Sequence, residues 1–201
     1  MKILVTGGAG FIGSHVVDIY LQAGHQVVVL DNFSTGKRNN LNQDAIFYQI
    51  DIRAVKDLEA IFQKYSFDIV NHHAAQINLR RSVDNPCFDA DVNIMGSVNL
   101  LELCRKYRIK RFIFASTGGA IYGESNQIPV NEEASLHPLS PYGVSKLSVE
   151  YYLEYYHRVW GLERIILRYG NVYGPRQDPQ GEAGVIAIFC EHILKRNPCV
   201  V

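Results

Sequence analysis

The apolar positions of this 201-residue chain follow two periodicities that alternate along its length. Ile3, Leu4 and Val5 form an unbroken apolar run, as a strand buried on both faces requires. Phe11, Ile12, His15, Val16, Ile19 and Tyr20 then recur near helical spacing, and Gly24 stands where a C-cap would end the helix. A second buried run, Val27 to Leu30, closes on Asp31. Further on, "AIFYQI" (45–50) predicts a third strand and Val55 to Lys64 a helix. "FDIVNHHAA" (67–75) predicts a fourth strand, followed by a long helix from about Pro86 to Tyr107. "RFIFAS" (111–116) predicts a fifth strand, Tyr142 to Trp160 another long helix, and "RIILRYGNVYG" (164–174) a sixth strand running into a loop. Alternating units of this kind predict an α/β fold, a doubly wound parallel sheet whose ligands sit at the carboxyl ends of the strands.

Composition narrows the function classes. Twenty basic residues balance twenty acidic ones, so no general affinity for nucleic acid or anionic membranes is expected. No apolar run approaches the roughly 20 residues needed to span a bilayer. The first strand begins almost at residue 1, leaving no room for a signal peptide, and the expected location is cytoplasmic. Cys87, Cys104, Cys190 and Cys199 are scattered without C-x-x-C spacing, which predicts free thiols and no metal site. His72 and His73 are adjacent and in a strand would point to opposite faces, a poor start for a metal site.

Two stretches carry candidate chemistry. In "TGGAGFIG" (6–13), Gly8, Gly10 and Gly13 spell G-x-G-x-x-G, while Gly7, Gly10 and Gly13 spell G-x-x-G-x-x-G. The turn lies between a strand and a helix, and Asp31 follows Gly13 by eighteen residues. That order is the dinucleotide-binding βαβ unit of a Rossmann-type domain. Spacing alone leaves open which three glycines matter. In "SPYGVSK" (140–146), Tyr142 and Lys146 stand four apart and share one helix face. A free phenol has a pKa of about 10 and needs help to act as a base at neutral pH. A nearby cation favours phenolate, and the positive nicotinamide of an oxidised cofactor would add to that.

These motifs, with "LDNFSTG", "DIR", "HHAAQ", "DVNIMGSVNLLE", "STGGAIYGE" and "RYGNVYGPRQDP", run in order along essentially the whole chain. In them the chain resembles the extended short-chain dehydrogenase/reductases, most closely the UDP-glucose 4-epimerase family and its nucleotide-sugar relatives. The resemblance implies NAD as cofactor and assigns the glycine set as Gly7, Gly10 and Gly13, with Ala9, Phe11 and Ile12 around the pyrophosphate. It places Asp31, Asn32 and Ser34 at the adenosine ribose, and Asp51 and Ile52 beside the adenine. Ala74, Ala75 and Gln76 would line the path to the nicotinamide, with Asn93 in the cofactor region. Turn formation for Asn32 and Ser34, and helix packing for Asn93, are the plainer alternatives.

By the same resemblance Tyr142 and Lys146 are the catalytic pair. Counted back from "IYG", the usual catalytic Ser or Thr position holds Gly118. Thr117 is therefore the expected hydroxyl, both catalytic and in contact with substrate, and Ser116 is the second candidate. Tyr142 and Asn171 would also contact the UDP-sugar, with Tyr169 and Gly170 nearer the nicotinamide. Sugar 4,6-dehydratases carry an Asp–Glu pair after the hydroxyl residue; here glycines stand there, and glycine transfers no proton. The implied reaction is reversible oxidation at sugar C4 through a 4-keto sugar, without a metal. A UDP-glucuronate decarboxylase or epimerase remains an alternative, with Arg80 and Arg81 either meeting a sugar carboxylate or standing as solvated helix-flanking charges. A non-catalytic NAD-binding module is another.

The resemblance also implies a homodimer joined through long helices. Within 142–160, Val144, Leu147, Tyr151 and Tyr155 form one stripe, and Val149, Tyr152, Tyr156 and Trp160 another. One stripe is expected to cover the sheet and the other to meet a partner helix. Family members run on for roughly another hundred residues, a second domain's length. Residues 1–175 are thus expected to be the cofactor domain and 176–201 the start of a substrate domain, with its first helix near Ala183 to Lys195. Alone, the 201 residues are expected to bind UDP-sugars weakly.

Overall fold

A computed structural model describes residues 1–124, 128–179 and 184–199. The apolar runs become the strands β1 (Lys2–Thr6), β2 (Gln26–Leu30), β3 (Ile46–Tyr48), β4 (Ile69–His72), β5 (Arg111–Thr117) and β6 (Glu163–Tyr169). All pair in parallel, in the order β3-β2-β1-β4-β5-β6. The chain reverses its winding between β1 and β4, so their carboxyl ends frame a crevice.

Helices cover both faces, which is why the central strands lack polar alternation. On one face α1 (Phe11–Gln22) places Val17 against Ile3, Val5, Val27 and Val29. On the other, α2 (Val55–Lys64) packs Leu58, Ile61 and Phe62 over Leu4, Val28 and Val70. The bounds of α2 are those its periodicity predicts. At the end of α1 the backbone turns left-handed at Gly24 (φ 77°), as its C-terminal signal requires.

The expected helix from Pro86 to Tyr107 is more elaborate. A short α3 (Leu79–Asp84), not anticipated from the apolar pattern, precedes it, and Asn78 caps it by accepting from the Arg81 N–H at 2.6 Å. Asn85 caps α4 (Pro86–Ala90), accepting from the Phe88 N–H at 3.0 Å with Pro86 in the first turn. A π-helical turn, Asp91–Met95, then joins α4 to α5 (Gly96–Lys106). The extra residue in that turn breaks the simple helical period, so spacing alone conceals it.

Ser140 caps the twenty-residue helix α6 (Pro141–Trp160), which stops at a left-handed Gly161. Val149, Leu153 and Tyr156 pack on the sheet, while Val144, Tyr151 and Tyr155 are exposed and Leu147 is half-buried. The two expected stripes thus divide as predicted, with a correction: Tyr152 and Trp160 lie outside the buried one. α7 (Val185–Leu194) matches the last expected helix; Ala183 falls outside the described residues. Among the described residues no helix is long and apolar enough to cross a membrane, and no His, Cys, Asp and Glu cluster suits a metal. Cys104 is buried and the other three cysteines are exposed, all free.

Candidate active site

A cleft of about 510 Å³ opens at the carboxyl ends of the strands. Gly7, Gly10, Phe11, Ile12 and Gly13 form its floor. Gly7 holds φ 70°, and a Cβ there would lie 2.6 Å from the Ala74 nitrogen. A Cβ on Gly13 would run into the Gly7 carbonyl. Gly8 instead faces Val29 in the core, so it is Gly7, Gly10 and Gly13 that line the cleft. No side chain caps α1, and its first turn holds no acid, so its N-terminal dipole meets the cleft uncompensated. Such a turn binds diphosphate well.

At one end of the cleft, Asp31 accepts from the N–H groups of Ala9 (3.0 Å) and Phe33 (2.8 Å). Burial raises its pKa, and these bonds oppose the rise. Each oxygen keeps a lone pair for a further donor. Asn32, Ser34, Asp51 and Ile52 line the same end. The Asn32 amide donates to Asp51 (2.9 Å) and its oxygen accepts from the Ser34 N–H (2.9 Å), so its side chain shapes the turn. Arg53 binds Asp51 at 2.8 Å and holds that carboxyl well below its usual range.

The loop after β6 crosses this end. His15 bonds the Pro175 carbonyl (2.9 Å), Arg176 pairs with Asp18 (2.7 Å), and Lys37 pairs with Asp178 (2.8 Å). Arg38 lies 4.9 Å over the Phe33 ring. Both cations near Asp31 therefore have partners.

The other end brings together Ala74, Ala75, Ser116, Thr117, Tyr142, Lys146, Tyr169 and Asn171. Lys146 is buried, donates to the Ala115 carbonyl at 2.9 Å and sits 4.8 Å over the Phe114 ring. Burial lowers its ammonium to about 8, leaving it mostly charged at neutral pH. Burial first, and then the Asp89 charge, pushes the Tyr142 phenol up to about 12. Sequence reasoning credited Lys146 with favouring phenolate; desolvation outweighs it in the protein alone. Neighbouring His73 stacks on Tyr169 at 6.2 Å, and burial holds it neutral, at about 4.

Ser116, at the cleft wall, donates to buried Glu150, which pairs with Arg168 at 2.7 Å. Half-buried Thr117 lines the cleft beside it. At position 118 a Cβ would crowd the carbonyls of Arg168 and Tyr169, at 3.1 and 3.3 Å. Asn171 is exposed at the rim.

Gln76 and Asn93 depart from expectation. Both are buried behind the wall: the Gln76 N–H donates to Asn93 Oδ1 and Asn93 Nδ2 to the Gln76 carbonyl, each at 2.9 Å. The Gln76 amide side chain turns to the Asn78 carbonyl and to Asp89, both at 2.9 Å. Neither Arg80 nor Arg81 lines the cleft, and Arg81 lies 4.2 Å over Phe88. Sequence reasoning missed two buried carboxylates, Asp89 and Glu150. For Glu150 a signal existed, since it stands one turn beyond Lys146 on a face that packs inward.

Known proteins share these features. A UDP-glucose 4-epimerase from Mycolicibacterium smegmatis is 44% identical over 199 residues, covering 96% of this chain and 63% of its own length. The structure of a Thermotoga maritima UDP-glucose 4-epimerase with UDP-glucose superposes with a TM-score of 0.96 at 54% identity. A Thermus thermophilus UDP-glucose 4-epimerase in complex with NAD gives 0.94 at 50% identity. Each comparison covers 98% of this chain and 64% of the solved one, so the chain spans just under two thirds of these relatives. The sequence profile of one family matches residues 3–201, and with the glycine turn, Asp31, Tyr142 and Lys146 all in one cleft, the chain belongs to the NAD dependent epimerase/dehydratase family.

Proposed function

We propose that the protein is an NAD-dependent 4-epimerase of UDP-hexoses of the glucose and galactose type. Residues 1–175 hold the cofactor and 176–201 open the sugar-binding part. The observation that carries this reading is that Tyr142 and Lys146 line the same cleft as the glycine turn and Asp31. The residues fit NAD: the bare turn at Gly7, Gly10 and Gly13 leaves room that a Cβ would fill, and Asp31 keeps acceptor capacity for a ribose. When bound, NAD supplies reversible hydride transfer at the sugar C4.

The side chains do the rest. Tyr142 Oη takes the proton of the C4 hydroxyl and returns it after the keto sugar has turned its other face. Lys146 adds a fixed positive charge one helical turn away, favouring phenolate. The Thr117 hydroxyl holds the C4 oxygen, and Asn171 at the rim meets the diphosphate. The test is direct: UDP-glucose or UDP-galactose at saturation should reduce the NAD held by the protein, read by nicotinamide absorbance. Absence of reduction with both sugars shown to be bound, while NAD stays bound, would refute the reading.

Cofactor choice follows from the ribose end. A 2′-phosphate would meet the Asp31 carboxylate, and Lys37 is paired with Asp178 while Arg38 is stacked on Phe33. NAD⁺ should bind more tightly than NADP⁺ by roughly tenfold or more. Fluorescence titration showing the reverse order would overturn this.

The two hydroxyls separate by readout. Thr117→Ala should lower turnover with little change in melting. Ser116→Ala should act mainly on stability, by about 1.5–3 kcal/mol, because it removes a buried bond to a charged group. A larger loss of turnover from Ser116→Ala would reverse the assignment.

The exposed side of α6, with Tyr151, Tyr155 and Val144, supports a homodimer. Light scattering at micromolar concentration should return twice the chain mass; a monomer mass would count against it.

A further inference from the structure

Asp89 is fully buried and makes no ion pair among the described residues. Its carboxylate instead accepts three neutral hydrogen bonds. Oδ1 takes Gln76 Nε2 at 2.9 Å and Asn93 Nδ2 at 3.0 Å, and Oδ2 takes the Ser145 hydroxyl at 2.7 Å. Those donors come from the loop after β4, the π-helical turn and the start of α6. A buried charge without a cation is costly, and full satisfaction by hydrogen bonds is what makes it tolerable.

The bonds extend further. Asn93 and Gln76 exchange their reciprocal pair, Ser97 donates to the Asn93 carbonyl at 2.6 Å, and His72 joins Ser97 (2.9 Å) to Thr6 (2.6 Å). A continuous buried network thus runs from the end of β1 to α6, and Asp89 is its junction with α6. Ser145 immediately precedes Lys146, and Gln76 immediately follows Ala74 and Ala75 on the cleft wall.

We propose that Asp89 is a positioning residue, a buried carboxylate that locks α6 to the loop after β4, sets Tyr142 and Lys146 against the nicotinamide end of the cleft, and brings its negative charge to that pair. The inference rests on the reading of Tyr142 and Lys146 as the proton-transfer pair. The titratable groups around that pair are Asp89 from α4, His72 at the end of β4 and His73 just after it, Tyr169 from β6, and Glu150 one turn along α6. Burial keeps both histidines neutral, and Glu150 is paired with Arg168. Asp89 is left as the negative charge that opposes the effect of burial on Lys146.

The test separates charge from geometry. In Asp89→Asn the side-chain oxygen can still accept from Gln76 and Asn93, while the new amide can donate to the Ser145 oxygen. That variant removes the charge and keeps the ties. Asp89→Ala removes both, and Ser145→Ala cuts only the tie to α6. The readouts are NAD affinity and an NMR titration of isotope-labelled lysine side chains, with Lys146 assigned by its loss in Lys146→Met.

The wild-type Lys146 midpoint near 8 should move to lower pH in Asp89→Asn, because loss of a neighbouring negative charge disfavours the ammonium. NAD affinity should hardly change in that variant, and should fall about tenfold in Asp89→Ala. Ser145→Ala should weaken NAD binding while leaving the Lys146 midpoint near the wild-type value. If Asp89→Ala does not fold, the other two variants decide. An unmoved midpoint in Asp89→Asn, or unchanged NAD affinity in Ser145→Ala, overturns the proposal. No sugar enters these measurements, so failure of the epimerase reading would appear separately, as absence of sugar-dependent reduction.

Discussion

Tyr142→Phe is expected to slow sugar-dependent reduction of the bound cofactor by about a hundred- to ten-thousandfold, with NAD affinity nearly unchanged. The substitution deletes one oxygen from a side chain that is otherwise packed into the cleft wall, so the cofactor cradle at Gly7, Gly10 and Gly13 is untouched. Removing the phenol should matter because no other group near the nicotinamide end is an equivalent base. Burial makes His73 a weak base, at about 4, and Ser116 is committed to Glu150. The phenol itself begins unfavourably, pushed up to about 12 by burial. Turnover should therefore rise with pH, as the fraction of phenolate grows, until Lys146 begins to lose its proton near 8. The rate and pH profile of Tyr142→Phe, measured beside wild type, check the assignment. A variant retaining more than about a tenth of the activity would remove Tyr142 from the mechanism.

Glu150→Ala is expected to lower stability by about 3–5 kcal/mol, or roughly 10 °C in melting temperature for a chain of this size. The glutamate is almost fully buried, binds Arg168 at 2.7 Å and accepts from Ser116. Arg168 also donates to Tyr122 (2.9 Å) and to the Glu132 carbonyl (3.1 Å). Removal of the carboxylate leaves a partly buried guanidinium without its counter-charge, and that loss exceeds the value of an exposed pair. Truncating both partners in Glu150→Ala/Arg168→Met should recover part of the loss, since no charge then stays uncompensated. Thermal unfolding followed by circular dichroism provides the comparison. A single variant melting within about 2 °C of wild type would show that the pair contributes little.

Much of this protein was legible before any coordinate. The runs Ile3–Val5 and Val27–Leu30 are strands because nothing polar interrupts them, and α2 has the bounds that its spacing predicts. Asp31 and the glycine turn are local signals, since a strand, a tight turn and a helix N-terminus lie within a few residues of one another. Tyr142 and Lys146 are four apart on one helix, so their shared face follows from helical geometry.

What the tertiary structure decided lies wherever distant segments meet. That Gly7 rather than Gly8 lines the cleft depends on Ala74 and Val29, which approach from the loop after β4 and from β2. Gln76 and Asn93 turn to each other because a π-helical turn brings them opposite, and a change of period is invisible to a count of apolar positions. Ser116 and Thr117 are neighbours in sequence, yet Glu150 claims only one of them. The phenol of Tyr142 and the ammonium of Lys146 are displaced in opposite directions by the same burial, which no spacing records. Sequence by itself determined the six strands, the long helices and the candidate reactive groups, because backbone periodicity and turn chemistry act over a few residues. Protonation, orientation and partnership were settled by the fold, because desolvation and buried hydrogen bonds depend on which remote residues close around each group.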